Sequence, residues 1–415
     1  MKEMKEIYSV RRRQMSVSVS QSRIDSVRSK DITRTGLRIY RDGRLGIAGA
    51  IGDYDMAKLE ARAIASLSPG VEYPWEPSKD LVLQKEYPAA TIPEASFAGE
   101  AEAVLSKLRE AQPGLIFSNN IQQDSTVQTL ENEAGLKLSC STSSFSILLS
   151  FKEEKSTGII DGDVSVADSR MYDRGAALRE MLEFCEAYWN RIDLPSGGKL
   201  PVIYPRLGLE LLFGRLPWEL SGRAYGTGAS LLTGKIGQKV FGDRFSLSQC
   251  NDPAAHEDCF FDVEGVVNEG FRYPLVEGGV LRGVYTDRRV AARYGLPHTG
   301  SAVGGFDSVP SIGCVGLEVE ESGKTLAELL EGRPGVFVAM AAGGDYTPDG
   351  RFATPVQLAM LHDGTRFVGR LPELQISSHL FSMFGDDYVG LSSDSISELS
   401  DNRCLVTLMD VEKMG

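Results

Sequence analysis

The residues best able to do chemistry lie between Cys250 and Cys259. Cys250, His256 and Cys259 form C-x5-H-x2-C, three soft ligands close enough along the chain to hold a zinc ion. His256-Glu257 also opens like a zinc-protease motif, but Phe260 and Phe261 stand where the second histidine belongs. No fourth ligand is evident, so the bland reading is a surface loop ahead of a strand at FDVEG, Phe261 to Gly265. The remaining histidines are His298, His362 and His379. His298, in GLPHTG, reads as a loop side chain bonded to backbone. Gly228 to Lys235 (GASLLTGK) imitates a phosphate loop, but its glycines are one residue too far apart and Ile236 replaces the magnesium-binding Ser/Thr. Asp345 to Gly350 imitates a calcium loop, yet Thr347 and Val356 occupy positions that need oxygen-rich ligands. There is no GxSxG and no CxxC.

The elements that must position such groups can be read from periodicity. Met15 to Ser20 alternates strictly, as a half-buried strand does, with a return strand through Ile24 and Val27. Leu37–Tyr40 and Leu45–Ala48 form a hairpin about Asp42-Gly43, which tolerate positive φ. Asp55 caps a helix with Leu59, Ala63 and Leu67 on one face. Residues 68–95 read as irregular. Helices follow at 96–111 and 172–192, separated by strands over 115–166. Phe97, Trp189, Phe213 and Trp218 read as core.

Leu194-Pro-Ser-Gly-Gly198 is the domain boundary this pattern predicts, giving domains 1–194 and 199–415. After it come a strand at 202–204 and a helix through Leu209, Leu212 and Leu216, which Pro217 ends or kinks. Short strands are expected at 260–268, 271–275, 279–285, 312–319, 335–341, 356–361, 365–370 and 403–410. Runs of strands with segregated helices predict an α+β fold, with mixed or antiparallel sheets in each domain.

Composition narrows the classes. The 415 residues carry net charge −13, which argues against broad nucleic-acid binding. Arg11, Arg12 and Arg13 fall in strand-like sequence and read as solvated strand-face charges. Six cysteines without framework spacing, and no apolar leader, predict free thiols in the cytoplasm. No apolar run approaches the ~20 residues of a membrane span.

Six segments occur in an informative order: GLRIYRDGRLGIAGAIGD (36–53), PVIYPRLGLELLFGRLPWELSG (201–222), SLLTGKIGQKVF (230–241), FDVEGV (261–266), GVLRGVYTDRRVAARYG (279–295) and VFVAMAAGGDYTPDG (336–350). The set resembles the TldD/PmbA family of zinc-protease proteins, whose founding members were described as modulators of DNA gyrase. The likeness spans nearly the whole chain. Catalytic members carry HExxxH in the segment matching 201–222. Matching the leucines before that motif to Leu211-Leu212 places its histidines at Phe213 and Trp218 and its glutamate at Gly214. No histidine lies between 201 and 255 in any register. The resemblance therefore implies a PmbA/TldE-like chain with no metal of its own. Its zinc-bearing, TldD-like partner would cut unfolded peptides, and alone the chain would pair with a second copy. Two rivals stand beside this: a peptidase using Cys250, His256 and Cys259, and a protein that binds gyrase directly. The late segment GGDYTPDGRF departs from the family's Asn-Pro and Gly-Asp-Phe pattern.

Overall fold

The structure is a computed structural model describing residues 3–414, except 69, 74–76, 90–91 and 255–258. In chain order, the N-terminal elements are β1 (Met4–Ser20), β2 (Arg23–Arg41), β3 (Arg44–Ile51), α1 (Met56–Ala65), β4 (Val71–Glu72), β5 (Val82–Tyr87), α2 (Glu94–Ala111), β6 (Leu115–Asn132), β7 (Lys137–Glu153), β8 (Gly162–Ser169) and α3 (Arg174–Trp189). Then come β9 (Leu200–Pro205), α4 (Leu209–Phe213), α5 (Leu216–Glu219), α6 (Gly222–Gly226), β10 (Leu247–Cys250), β11 (Arg272–Glu277), β12 (Val280–Leu281), α7 (Arg288–Tyr294), β13 (Ala302–Val303), β14 (Ser311–Ile312) and β15 (Leu317–Val319). The last are α8 (Leu326–Leu330), β16 (Gly335–Ala341), β17 (Asp345–Tyr346), β18 (Arg351–His362), β19 (Phe367–Arg370), β20 (Leu374–His379), α9 (Leu380–Met383), β21 (Tyr388–Ser395) and β22 (Arg403–Lys413).

The fold is α+β. The first sheet runs β4-β3-β2-β1-β6-β7-β5, with β8 also paired to β7. Four strands are unusually long, and their ends are buried against different layers. Val17, Val19, Ile121 and Ile147 pack under α2 and α3, whereas Tyr8, Leu130 and Leu138 pack against Phe260 and Phe261. Between these ends the sheet is polar, and Arg11 to Arg13 and Arg28 to Asp31 are exposed. The hairpin turn is as expected: Asp42 and Gly43 both have positive φ. Asp55 caps α1 by accepting from the N–H groups of Ala57 and Lys58. Residues 68–95 are more ordered than expected, because β5 pairs in parallel with residues 137–142 of β7. That parallel pairing brings together segments far apart in sequence, so no local turn announces it.

In the C-terminal half the path β16-β9-β22-β20-β18 closes on itself through a β16–β18 pairing. Alternation along β9 shows how this closed sheet is filled and covered. Val202 and Tyr204 belong to one core with Phe352, Ile376 and Leu405; Ile203 points the other way and joins a core with Phe151, Phe184 and Val406. This second core therefore draws residues from both sides of the 194–199 turn segment. The expected strand at 260–268 is instead irregular backbone about a single turn at 263–264, and 279–285 is a strand only at Val280–Leu281. Strands β20 and β21 lie outside the expected set. In α3, Tyr188 takes the core position and Trp189 is 43% exposed, its Nε1 donating to Gln112 at 2.9 Å. The core reading of Trp189 is corrected accordingly: one residue of helical rotation exchanges the two faces.

No described helix is long and apolar enough to cross a membrane.

Candidate functional site

The segment matching the zinc motif leaves β9 at Pro205 and breaks into two short helices. α4 ends at Phe213, and Gly214 follows in helical backbone (φ −44°, ψ −35°). Pro217 lies in the first turn of α5, where its missing N–H costs nothing. The expected single helix is thus two, separated where Pro217 would have broken the hydrogen-bond ladder. The pieces are firmly tied. Tyr346 donates its hydroxyl to the Leu212 carbonyl at 2.5 Å, and Tyr285 donates to the Pro217 carbonyl at 2.8 Å. Glu219 is fully buried, pairing with Arg215 and accepting from the Leu231 N–H.

The three motif positions do not meet as a ligand set. Phe213 is buried, its ring 5.9 Å from that of Phe384. Gly214 is exposed and offers no side chain. Trp218 is 50% exposed, which corrects its reading as core. Zinc requires nitrogen, sulfur or carboxylate donors at about 2 Å. A phenyl ring, a glycine and an indole supply none, so these positions do not fit the metal. A small recess of about 180 Å³ beside Gly214 and Arg215 is closed by Asp345, Tyr346 and Phe352, part of the late GGDYTPDGRF segment.

The rival ligand set has other partners. His256 lies outside the described residues. Cys250 is buried, and burial together with a hydrogen bond to Glu318 pushes its thiol up to about 12. Cys259 is buried in one cluster with Cys140 and Phe260, and burial raises its pKa far above the ordinary thiol value.

A densely charged cluster lies in FDVEG and its surroundings, and sequence reasoning does not join its members. Asp262 accepts the N–H groups of Glu264, Val266 and Ala302 at 2.9–3.0 Å. Glu264 accepts from Tyr73, from the Arg288 N–H at 3.1 Å, and contacts His298 Nε2 at 3.2 Å. His298 therefore faces a carboxylate. Arg288 donates to Ser78 and to the Glu264 carbonyl; Arg38 bonds Glu6 and the Val263 carbonyl. Burial opposes ionisation of Glu264, but His298, Arg288 and Tyr73 outweigh it and hold its pKa below the ordinary value. Burial and the Glu264 charge push Asp262 up to about 6. Ligand atoms of Asp262, Glu264 and His298 lie within 4.8 Å of one another. Both carboxylates already accept protein donors, and a cation would face Arg288. The cluster reads as the tie between β1, β2 and the 262–299 region. The signal in the sequence was FDVEG, TDRR and HTG together: buried acid, arginine and histidine that must pair.

A cleft of about 390 Å³ opens where β8, α3 and β16 meet, near Gly208 ahead of α4. Leu149, Val164, Met181, Phe337 and Phe367 give it an apolar floor, and Asp163, Glu180 and Asn402 line it with polar groups. β8 pairs only with β7, so its other edge is free of strand pairing among the described residues.

Comparison with known proteins defines the class. Residues 197–411 match the PmbA/TldA metallopeptidase C-terminal domain, and residues 6–67 match PmbA/TldA metallopeptidase domain 1. The chain belongs to the PmbA/TldD family. Among particular relatives, it is similar to a zinc metalloprotease TldD homolog of Saccharolobus solfataricus, 26% identical over 194 residues, covering 45% of this chain and 43% of that protein. An uncharacterized protein of Methanocaldococcus jannaschii is 30% identical over 133 residues, 31% of each chain. The matched regions thus span less than half the length of these relatives. Among solved structures, TldE from Thermococcus kodakarensis superposes with TM-score 0.77 at 17% identity, covering 99% of this chain and 97% of that one. A protein described as a candidate modulator of a DNA gyrase, from Thermotoga maritima, gives TM-score 0.78 at 18% identity, covering 99% and 96%. At these identities the likeness establishes the fold.

Proposed function

We propose that this chain is the non-catalytic, PmbA/TldE-like subunit of a TldD/TldE-type zinc metalloprotease complex that processes unfolded peptides. The observation that carries the reading is the motif segment itself. Phe213 is locked into the core, Gly214 carries no carboxylate, and Trp218 faces solvent beyond a helix break. Metal-assisted hydrolysis needs a bound water, an open coordination position and a base. None of the three motif positions can contribute to these. The zinc belongs to a TldD-like partner, and this chain shapes the chamber and holds peptide. The cleft beside β8 suits peptide holding, since an extended peptide can satisfy a free strand edge through its backbone with little demand on sequence. Six unpaired cysteines accord with a cytoplasmic setting.

The test is reconstitution. The purified chain is assayed for zinc and for cleavage of an unfolded peptide, alone and with a TldD-type protein carrying HExxxH. Cleavage only in the mixture, with zinc on the partner, is the expected result. Chelator-sensitive cleavage by the chain alone overturns the assignment and turns attention to Cys250, His256 and Cys259. Capture of a topoisomerase in place of a TldD-like protein favours direct modulation of gyrase.

A further inference from the structure

A second recess, of about 360 Å³, adjoins the cleft beside β8. Glu180, Phe367 and Ile396 line both, so the two share a wall. Three carboxylates line the recess, Glu180 and Glu183 from α3 and Asp394 from β21. Glu180 accepts from the Ser397 hydroxyl at 2.9 Å and from the Glu398 N–H at 2.6 Å. Asp394 accepts the Leu326 N–H at 2.7 Å. These donors are all neutral. Arg366, the one lysine or arginine among the described lining residues, pairs with Asp363 instead. The carboxylate charge is thus left without a cation among the described residues, and burial pushes the Glu180 pKa up. The arrangement does not suit a metal ion, because no three ligand atoms of these acids and His362 lie within 4.8 Å of one another. His362 adds a group of a different kind. It is 3% exposed and lines the same recess. Its Nδ1 accepts the Gly364 N–H at 3.1 Å, which leaves the ring proton on Nε2. That Nε2–H has no protein acceptor among the described residues, and a buried donor left unanswered is costly. The recess therefore offers unneutralised negative charge together with one buried donor.

We propose, resting on the reading that this chain holds peptide, that the recess takes the free amino terminus of the peptide lying in the cleft. An α-ammonium group brings three charged donors to the carboxylates, and the carbonyl of the same first residue accepts from His362 Nε2. No other end or side chain of a peptide answers both demands. A lysine or arginine side chain has donors only and leaves His362 without an acceptor. A carboxyl terminus supplies acceptors but is repelled by Glu180, Glu183 and Asp394. Capture of one end fixes the direction in which the peptide lies, while the apolar floor and the free edge of β8 hold the residues that follow.

The experiment measures binding of a short unstructured peptide, labelled at its carboxyl end and containing one lysine, to the full chain by fluorescence anisotropy at fixed ionic strength. Three forms are compared: the free amino terminus, the N-acetylated terminus, and a free terminus with norleucine in place of the lysine. Acetylation and the norleucine exchange each remove one positive charge, so general attraction to an acidic protein weakens both alike. The expected result is that acetylation weakens binding roughly tenfold or more, whereas norleucine changes it little. In Glu183→Gln/Asp394→Asn the loss on acetylation should shrink to within about threefold. Equal binding of the free and acetylated peptides overturns the proposal and leaves the peptide-holding reading standing. So does a norleucine loss as large as the acetylation loss, or an acetylation loss undiminished in the folded variant. Binding of none of the three peptides overturns both. The wild-type comparison decides the question even where the variant fails to fold.

Discussion

Restoring the family's zinc motif at its matched positions tests the central reading most directly. In Phe213→His/Gly214→Glu/Trp218→His the three changes meet different environments. Phe213 is 7% exposed and packs on Phe384. Losing its burial costs about 1.5–3 kcal/mol, and losing the ring pair about 0.5–1.5 kcal/mol. A buried imidazole without a partner adds about 1–3 kcal/mol. Trp218 is half exposed, so its replacement costs roughly 1 kcal/mol or less. Gly214 has helical backbone and is exposed, so glutamate there is near neutral. The triple variant should lose about 4 kcal/mol, nearly all from Phe213→His alone, and melt roughly 5 °C lower for a chain of 415 residues. It should still bind no stoichiometric zinc, because the helix is interrupted between Phe213 and Leu216 and the two positions face core and solvent. Urea unfolding of the single and triple variants, with metal analysis after dialysis, gives the answer. One retained zinc per chain with chelator-sensitive peptide cleavage would refute the reasoning.

Three other expectations follow from particular contacts. In Gly36→Ala the new Cβ would lie 1.6 Å from the Phe306 carbonyl oxygen, so the loop carrying Phe306 must move off β2; a loss of roughly 2 kcal/mol or more and faster hydrogen exchange across 302–310 should be seen, and an unchanged exchange pattern would count against that close approach. His362 is buried between Phe337 and Phe367 and accepts from the Gly364 N–H, and burial lowers its pKa from 6.5 to about 4. The unfolded chain therefore binds the proton first, so this stability is present above pH 6.5 and is lost as pH falls towards 4, by roughly 3 kcal/mol; His362→Asn should flatten that part of a urea-midpoint profile between pH 7 and 4.5. Arg11 and Arg13 pair with Asp31, and Arg12 pairs with Asp124, so micromolar duplex DNA binding near physiological salt should be absent from a titration and unaltered by replacing the three arginines.

Local chemistry made much of the N-terminal half legible. Asp42-Gly43 had to turn, Asp55 had to cap, and the face Phe97, Ala101, Val104 and Leu108 had to be buried, and each is so. Reading failed where distant segments compete for the same space. β5 exists because residues 137–142 offer it a parallel edge. FDVEG gave up strand geometry because the Asp262 carboxylate captures three backbone N–H groups that a ladder would otherwise use.

What the sequence by itself determined was the absence of a histidine pair between 201 and 255, since no fold can place at the motif a ligand that the segment lacks. It also carried the ordered motifs that mark the family and the periodicities that mark the α+β class. Only the tertiary structure decided which way each motif position faces: Phe213 inward to Phe384, and Trp218 outward beyond the break at Pro217. It alone set Glu264 against Tyr73, Arg288 and His298. Periodicity reports only neighbours within a few residues. These contacts join residues far apart in the chain, and they form because each buried charge had to find its partner across the junction.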